Sequence, residues 1–172
     1  TRLLRESIQK ITDEVRISTD EGIQPDFSFH QHGPQLYMGN YGLVFATDGS
    51  RHAALFAGTS FQLASEKIRA LSGLILEGQR WFIWRRQFDF HGLGRNIVLP
   101  NVGSRSTAFG PICERMMAAD PERADAYAGF AAQVSGTSHP GDSGPDGNRH
   151  YWRSDTMIHR PGEFYVSLRM HS

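Results

Sequence analysis

The sequence is poor in cysteine, in lysine and in long apolar runs, and each shortage closes off a class of protein. The single cysteine, Cys113, can form no internal disulfide and has no partner at metal-ligand spacing, so it reads as a small buried hydrophobe. Eighteen basic side chains balance eighteen acidic ones, so no global field draws the chain to nucleic acid or to a membrane surface, and any polyanion site must be local. Apart from Lys10 and Lys67 the basic residues are all arginine. That skew suits bidentate recognition of carboxylate or sulfate, and a GC-rich genome also produces it with no function attached. No apolar run approaches the roughly 18 residues of a membrane span. Gly-rich phosphate loops, Gly-x-Ser-x-Gly elbows and Walker patterns are missing too.

What remains is sufficient for a core. The chain has 172 residues, 39% hydrophobic and 11% aromatic, which fits one domain of about 150 residues or a piece of something larger. It opens on Thr1 without a signal-peptide pattern, which reads as a segment of a longer precursor.

Helical periodicity dominates the first three quarters. Leu4, Ile8, Ile11 and Val15 repeat as one face of an amphipathic helix over 2–17. A turn-rich stretch follows from Thr19 to Gly42, then a helix from Tyr41 to about Ala57. Ser65 reads as the N-cap of a helix running to about Arg85, with Ile68, Leu71, Ile75 and Phe82 on one side. An irregular loop is expected over 88–104, a helix entered through Pro111 over 107–119, and another started by Asp120-Pro121-Glu122 and reaching Val134. At 135–148 the composition turns to Gly, Ser, Pro and Asp, which marks a linker. Beyond it, 150–153, 156–160 and 164–170 are short and β-prone, the last two forming a hairpin that could not stand alone.

Several clusters could carry chemistry. His30 and His32 are two apart and would share a face of an extended segment, as metal-binding pairs do, but no Asp, Glu or Cys supports them at ligand spacing; a solvated or hydrogen-bonded pair is the alternative. Tyr41 stands where a helix begins. A phenol ordinarily ionises near pH ~10, and a helix N-terminus and a nearby guanidinium both favour the phenolate, so His32 and Tyr41 could serve as an acid–base pair; a buried tyrosine donating one hydrogen bond is the other reading. Phe88 to Ile97 forms a second polar and aromatic loop, in which Gly92 and Gly94 permit a close backbone approach beside Arg95. Trp81 and Trp84, at helical spacing, could stack on sugar rings or belong to the core. Asp13-Glu14 with Asp20-Glu21 could form a glycosidase carboxylate pair or a solvated surface.

Taken in order, six blocks resemble one family. They are Asp26-Phe-Ser-Phe-His-Gln-His-Gly-Pro-Gln-Leu36, Tyr41-Gly42, Leu76-Glu-Gly-Gln79, Asp89 through Gly94-Arg95, Asn148-Arg-His-Tyr-Trp-Arg-Ser-Asp155 and Ser167-Leu-Arg-Met-His-Ser172. Together they are similar to the polysaccharide lyase family 8 enzymes, the hyaluronate, chondroitin AC and xanthan lyases.

The resemblance implies an α+β multidomain fragment: residues 1–134 as the C-terminal part of an α/α toroid, 135–148 as a linker, and 149–172 as the first strands of an antiparallel β-sandwich. It implies a secreted bacterial enzyme that cleaves a uronic-acid-containing glycan by β-elimination, with no cofactor and no metal. Its partners would be an acidic polysaccharide and the remaining parts of the parent lyase, not nucleic acid or membrane. His32, Tyr41 and Arg95 match the catalytic histidine, tyrosine and arginine of the family, and Gln31 is a candidate substrate contact. The resemblance favours Tyr41 as base with neutral His32 positioning the substrate, the other arrangement having His32 as base. The asparagine and glutamate that complete the family site would lie before Thr1 and after Ser172, and Leu99 stands where many relatives carry a second arginine. A non-catalytic glycan-binding relative and a metal-dependent hydrolase built on His30 and His32 are the competing readings.

Overall fold

The computed structural model describes residues 2–98, 102–137 and 144–170. Five α-helices occur among them: α1 (Arg2–Glu14), α2 (Tyr41–Phe56), α3 (Ser65–Ser72), α4 (Phe109–Ala119) and α5 (Ala124–Ser135). On α1 the expected stripe is only half used. Ile8 is buried and Val15 lies buried just past the helix, while Leu4 and Ile11 remain exposed because no described element covers that part of the face. The centre of the molecule is made by α4 packing against both α2 and α5, with Phe109, Ile112, Cys113, Met116, Tyr127 and Phe130 fully enclosed. Burial pushes the Cys113 thiol up to about 12, as expected of an inert core cysteine.

The helix expected from Ser65 to about Arg85 is not continuous. Ala64, not Ser65, occupies the cap position, and the α-helix ends at Ser72. A π-helical segment, Gly73–Gly78, and a 3₁₀ turn, Gln79–Phe82, follow. Phe27 packs closely on this segment, and both ends of it must be glycine to admit it: a Cβ on Gly73 would lie 2.2 Å from its ring, and one on Gly78 2.2 Å from its carbonyl oxygen. Trp81 and Trp84 therefore do not share a helix face. Trp81 is buried in the 3₁₀ turn, and Trp84 lies on β3 (Ile83–Trp84), paired with β4 (Gln87–Phe88), with its ring under the Arg160 guanidinium at 5.4 Å. The loop expected over 88–104 contains 3₁₀ turns at Phe90–Val98 and Val102–Ala108. Asp120 stands at the expected helix start, but its carboxylate accepts from Arg123 Nη1 at 3.0 Å and Tyr127 Oη at 3.1 Å instead of capping the backbone.

The β-prone tail forms an antiparallel sheet ordered β5 (Gly147–Tyr151), β6 (Thr156–Arg160), β7 (Val166–Arg169). Three strands need a surface to dock on, and alternation along β6 provides one: Thr156, Ile158 and Arg160 are buried while Met157 is exposed. Tyr151 Oη donates to the carbonyls of Glu77 at 2.8 Å and Gly78 at 2.9 Å. Arg160 Nη1 donates to the carbonyls of Arg80 at 3.1 Å and Trp81 at 3.2 Å. Those backbone acceptors belong to the irregular segment, so the break in the helix is what the sheet docks on.

Candidate active site

Three segments converge on one exposed edge. The first carries His32. The short ladder of β1 (Gly22–Ile23) with β2 (Phe29–His30) sets Gly22 opposite His30, and the chain then turns sharply, with His32 at φ 59 and Gly33 at φ 77. That left-handed residue ends the strand alternation, so His30 and His32 do not share a face. His30 is buried with Nε2 2.8 Å from Ser154 Oγ, whereas His32 is exposed. A common metal ion would need both rings together, and among the described residues no group of three or more His, Cys, Asp or Glu is placed to hold one.

The second segment carries Tyr41, the first residue of α2. Gly42 N–H donates to Tyr37 O at 2.8 Å, and a Cβ at Gly42 would lie 2.8 Å from that oxygen, so the glycine after Tyr41 lets the helix start against the preceding turn. The third carries Arg95. Gly39 N–H donates to Gly92 O at 2.9 Å, and Gly94, at φ 55 and ψ −136, lies flat on Tyr37, where a Cβ would be 2.2 Å from Cε1. This is the close backbone approach expected of the two glycines beside Arg95.

The three side chains meet at the phenol oxygen. Arg95 Nη2 donates to Tyr41 Oη at 3.2 Å. His32 Nε2 is also 3.2 Å from Tyr41 Oη; the phenol donates to a ring protonated on Nδ1, or accepts from one protonated on Nε2. The rings of His32 and Tyr41 sit edge to face at 5.2 Å, and buried Tyr37 backs both, at 5.9 Å from His32 and 5.1 Å from Tyr41. The phenol oxygen is thus held between an imidazole and a guanidinium, on the first turn of a helix. Gln31 lies beside this group with its amide donating to Glu21. Leu99 is outside the described residues.

The sheet braces both flanking loops through residues that sequence reasoning did not single out as supports. Asp26 accepts from Ser28 N at 3.0 Å, Ser28 Oγ at 2.6 Å and Arg153 N at 2.8 Å, and His30 meets Ser154. Burial holds the His30 ring below its ordinary pKa; the Asp26 carboxylate opposes this and Arg153 reinforces it. On the other side, buried Asp89 accepts from Tyr165 Oη at 2.5 Å and His91 N at 2.9 Å, and His91 Nδ1 is 3.0 Å from Ser167 Oγ. Burial first, then the Asp89 carboxylate, raises the Tyr165 phenol well above its usual range. The one signal for these contacts was that Asp26, Asp89, Ser154 and Ser167 all fall inside the resemblance blocks.

Residues 2–122 match the family model described as polysaccharide lyase family 8, N terminal alpha-helical domain. The chain belongs to polysaccharide lyase family 8. This family 8 chain is 26% identical over 151 residues to the chondroitinase-AC of Pedobacter heparinus, a match covering 88% of the chain and 21% of that protein. A solved chondroitinase AC lyase, known from enzyme–oligosaccharide complexes and mutagenesis, superposes with a TM-score of 0.92 at 25% identity, over 99% of this chain and 25% of the other. A Paenibacillus xanthan lyase shares the fold at a TM-score of 0.67 and 14% identity, over 89% of this chain and 18% of the other. The chain thus spans between a fifth and a quarter of the length of the chondroitinase relatives it matches. Among the described residues no helix is long and apolar enough to cross a membrane.

Proposed function

We propose that this chain supplies the histidine, tyrosine and arginine of a lyase that cleaves a uronic-acid-containing polysaccharide, of hyaluronan, chondroitin or xanthan type, by β-elimination. The observation that carries the reading is the Tyr41 hydroxyl standing 3.2 Å from both His32 Nε2 and Arg95 Nη2 at an exposed edge. Membership of the family and the chondroitinase AC likeness support the same chemistry.

In this mechanism Tyr41, as phenolate, removes the proton on C5 of the uronate. The electron pair left on C5 is delocalised into the adjacent carboxylate, the obstacle that donors aimed at that carboxylate must relieve. The C4–O bond then breaks, a C4=C5 double bond forms, and the proton on Tyr41 Oη passes to the leaving oxygen. No water enters and nothing is oxidised. Arg95 stabilises the charge on Tyr41 while it acts as base. Neutral His32 stands beside the phenol and positions the substrate. The helices through α5 are the end of an α/α toroid, and β5, β6 and β7 are the opening strands of a β-sandwich. The remaining parts of a secreted bacterial enzyme bring the asparagine and glutamate that complete the site.

The test is to incubate the full-length enzyme with hyaluronan, chondroitin and xanthan and to follow the ultraviolet absorbance of the unsaturated uronate. Tyr41→Phe is expected to lower kcat by roughly 10²–10⁴-fold, the usual contribution of a positioned acid–base group. Wild-type turnover by that variant refutes the role of Tyr41, and glycan binding without any unsaturated product refutes the lyase reading.

A further inference from the structure

We infer that Glu21 is a positioning residue for His32, acting through the two residues on either side of it; this rests on the reading of His32 as a substrate-facing group. A non-glycine residue in the left-handed region persists only where its surroundings over-determine it, and here His32, at φ 59, is such a residue, followed by Gly33 at φ 77. One carboxylate holds both flanks. Glu21 Oε1 accepts the backbone N–H of Gly33 at 2.9 Å, and Oε2 accepts the side-chain amide of Gln31. Hydrogen bonds to an ionised acceptor are about twice as strong as neutral ones.

The β1–β2 register explains how Glu21 arrives there. Gly22 is opposite His30, so the residue before Gly22 lies beside the residue after His30. Gln31 N–H also donates to Gln35 O at 3.2 Å, closing the far side of the turn. The hydrogen bonds of Glu21 go to Gln31 and Gly33, not to the His32 ring, to Tyr41 or to Arg95, so the carboxylate acts on His32 through the backbone and takes no part in proton transfer. The acidic residue that sequence spacing grouped into a candidate glycosidase pair is a clamp, and the Gln31 amide is the other half of it.

The experiment is kinetic and structural, on the full-length enzyme, with chondroitin, hyaluronan and xanthan as probes. Glu21→Ala is expected to lower kcat about tenfold, with KM held within about twofold, as for a misplaced reacting group. Glu21→Gln keeps an oxygen for Gly33 N–H and recovers most of that loss. Gln31→Leu lowers kcat in the same direction, and Glu21→Ala combined with Gln31→Leu is no worse than Glu21→Ala alone. Three results overturn the inference: wild-type kcat in Glu21→Ala, additive losses in the double variant, or a Gln31→Leu effect confined to KM, which would give the amide to the glycan. A crystal structure of Glu21→Ala separates this from the functional reading. If His32 leaves the left-handed region and Nε2 moves out of hydrogen-bonding distance of Tyr41 Oη, the clamp stands even in a protein that forms no unsaturated product; an unmoved His32 overturns it.

Discussion

Replacing Gly94 by alanine tests whether the site depends on the backbone of one loop lying directly on the ring of another. At φ 55 and ψ −136 Gly94 occupies a region that only glycine enters readily, and the added Cβ would sit 2.2 Å from Tyr37 Cε1 and 2.6 Å from Cδ1. An ordinary carbon–carbon contact is about 3.5 Å, so the ring or the loop must retreat by roughly 1 Å. The backbone term costs ~1–3 kcal/mol and the overpacking a similar amount, giving an expected destabilisation of about 2–6 kcal/mol. Gly58→Ala is the control, because Gly58 has φ +72 with nothing within 4 Å of the added atom; it carries the backbone term alone, about 1 kcal/mol. The Tyr37 ring backs His32 and Tyr41, so its displacement should also reduce turnover, by around 10²-fold for a shift of about 1 Å. Equilibrium denaturation and steady-state kinetics on the two variants decide the matter. Equal stability losses in Gly94→Ala and Gly58→Ala, or full activity in a destabilised Gly94→Ala, refute the reasoning.

Two further outcomes follow from buried polar side chains. Tyr165→Phe removes one of the donors to buried Asp89 and should cost ~1.5–3 kcal/mol. Tyr127→Phe should cost less, because Asp120 keeps Arg123; equal losses by urea denaturation contradict this. Stability should also fall below pH 6.5 through His30. Its folded pKa is lowered, so the unfolded chain takes up the proton first as pH falls. The contribution is complete above the ordinary value of 6.5 and is lost as pH falls from there through the lowered folded value, with a slope of at most about 1.4 kcal/mol per pH unit for one proton. His52, lowered by burial, adds in the same direction. Thermal melts between pH 8 and pH 5 should show this acid limb, and His30→Gln should flatten it; an unchanged limb refutes the assignment.

Local pattern alone was enough for much of the fold. The helix expected from Tyr41 to about Ala57 ends at Phe56, the helix reaching Val134 ends at Ser135, and the hairpin pairs Thr156–Arg160 with Val166–Arg169. These elements obey signals carried within a few residues: periodicity, a proline near a helix start, alternation along a strand. The six blocks in order also pointed to polysaccharide lyase family 8, and the family model matches residues 2–122.

Tertiary structure decided what depended on residues distant in sequence. The helix from Ser65 changes form at Gly73, where Phe27, a residue from another loop, packs against it. His30 and His32 part company because a left-handed turn, stapled by Glu21, overrides strand alternation. The meeting of His32, Tyr41 and Arg95 at one oxygen depends on Gly39, Gly92 and Gly94 letting two backbones touch. Sequence determines which side chains are available and which stretches fold locally. Their separation in space depends on steric contacts and hydrogen bonds between segments up to 134 residues apart, and nothing in a local window records those.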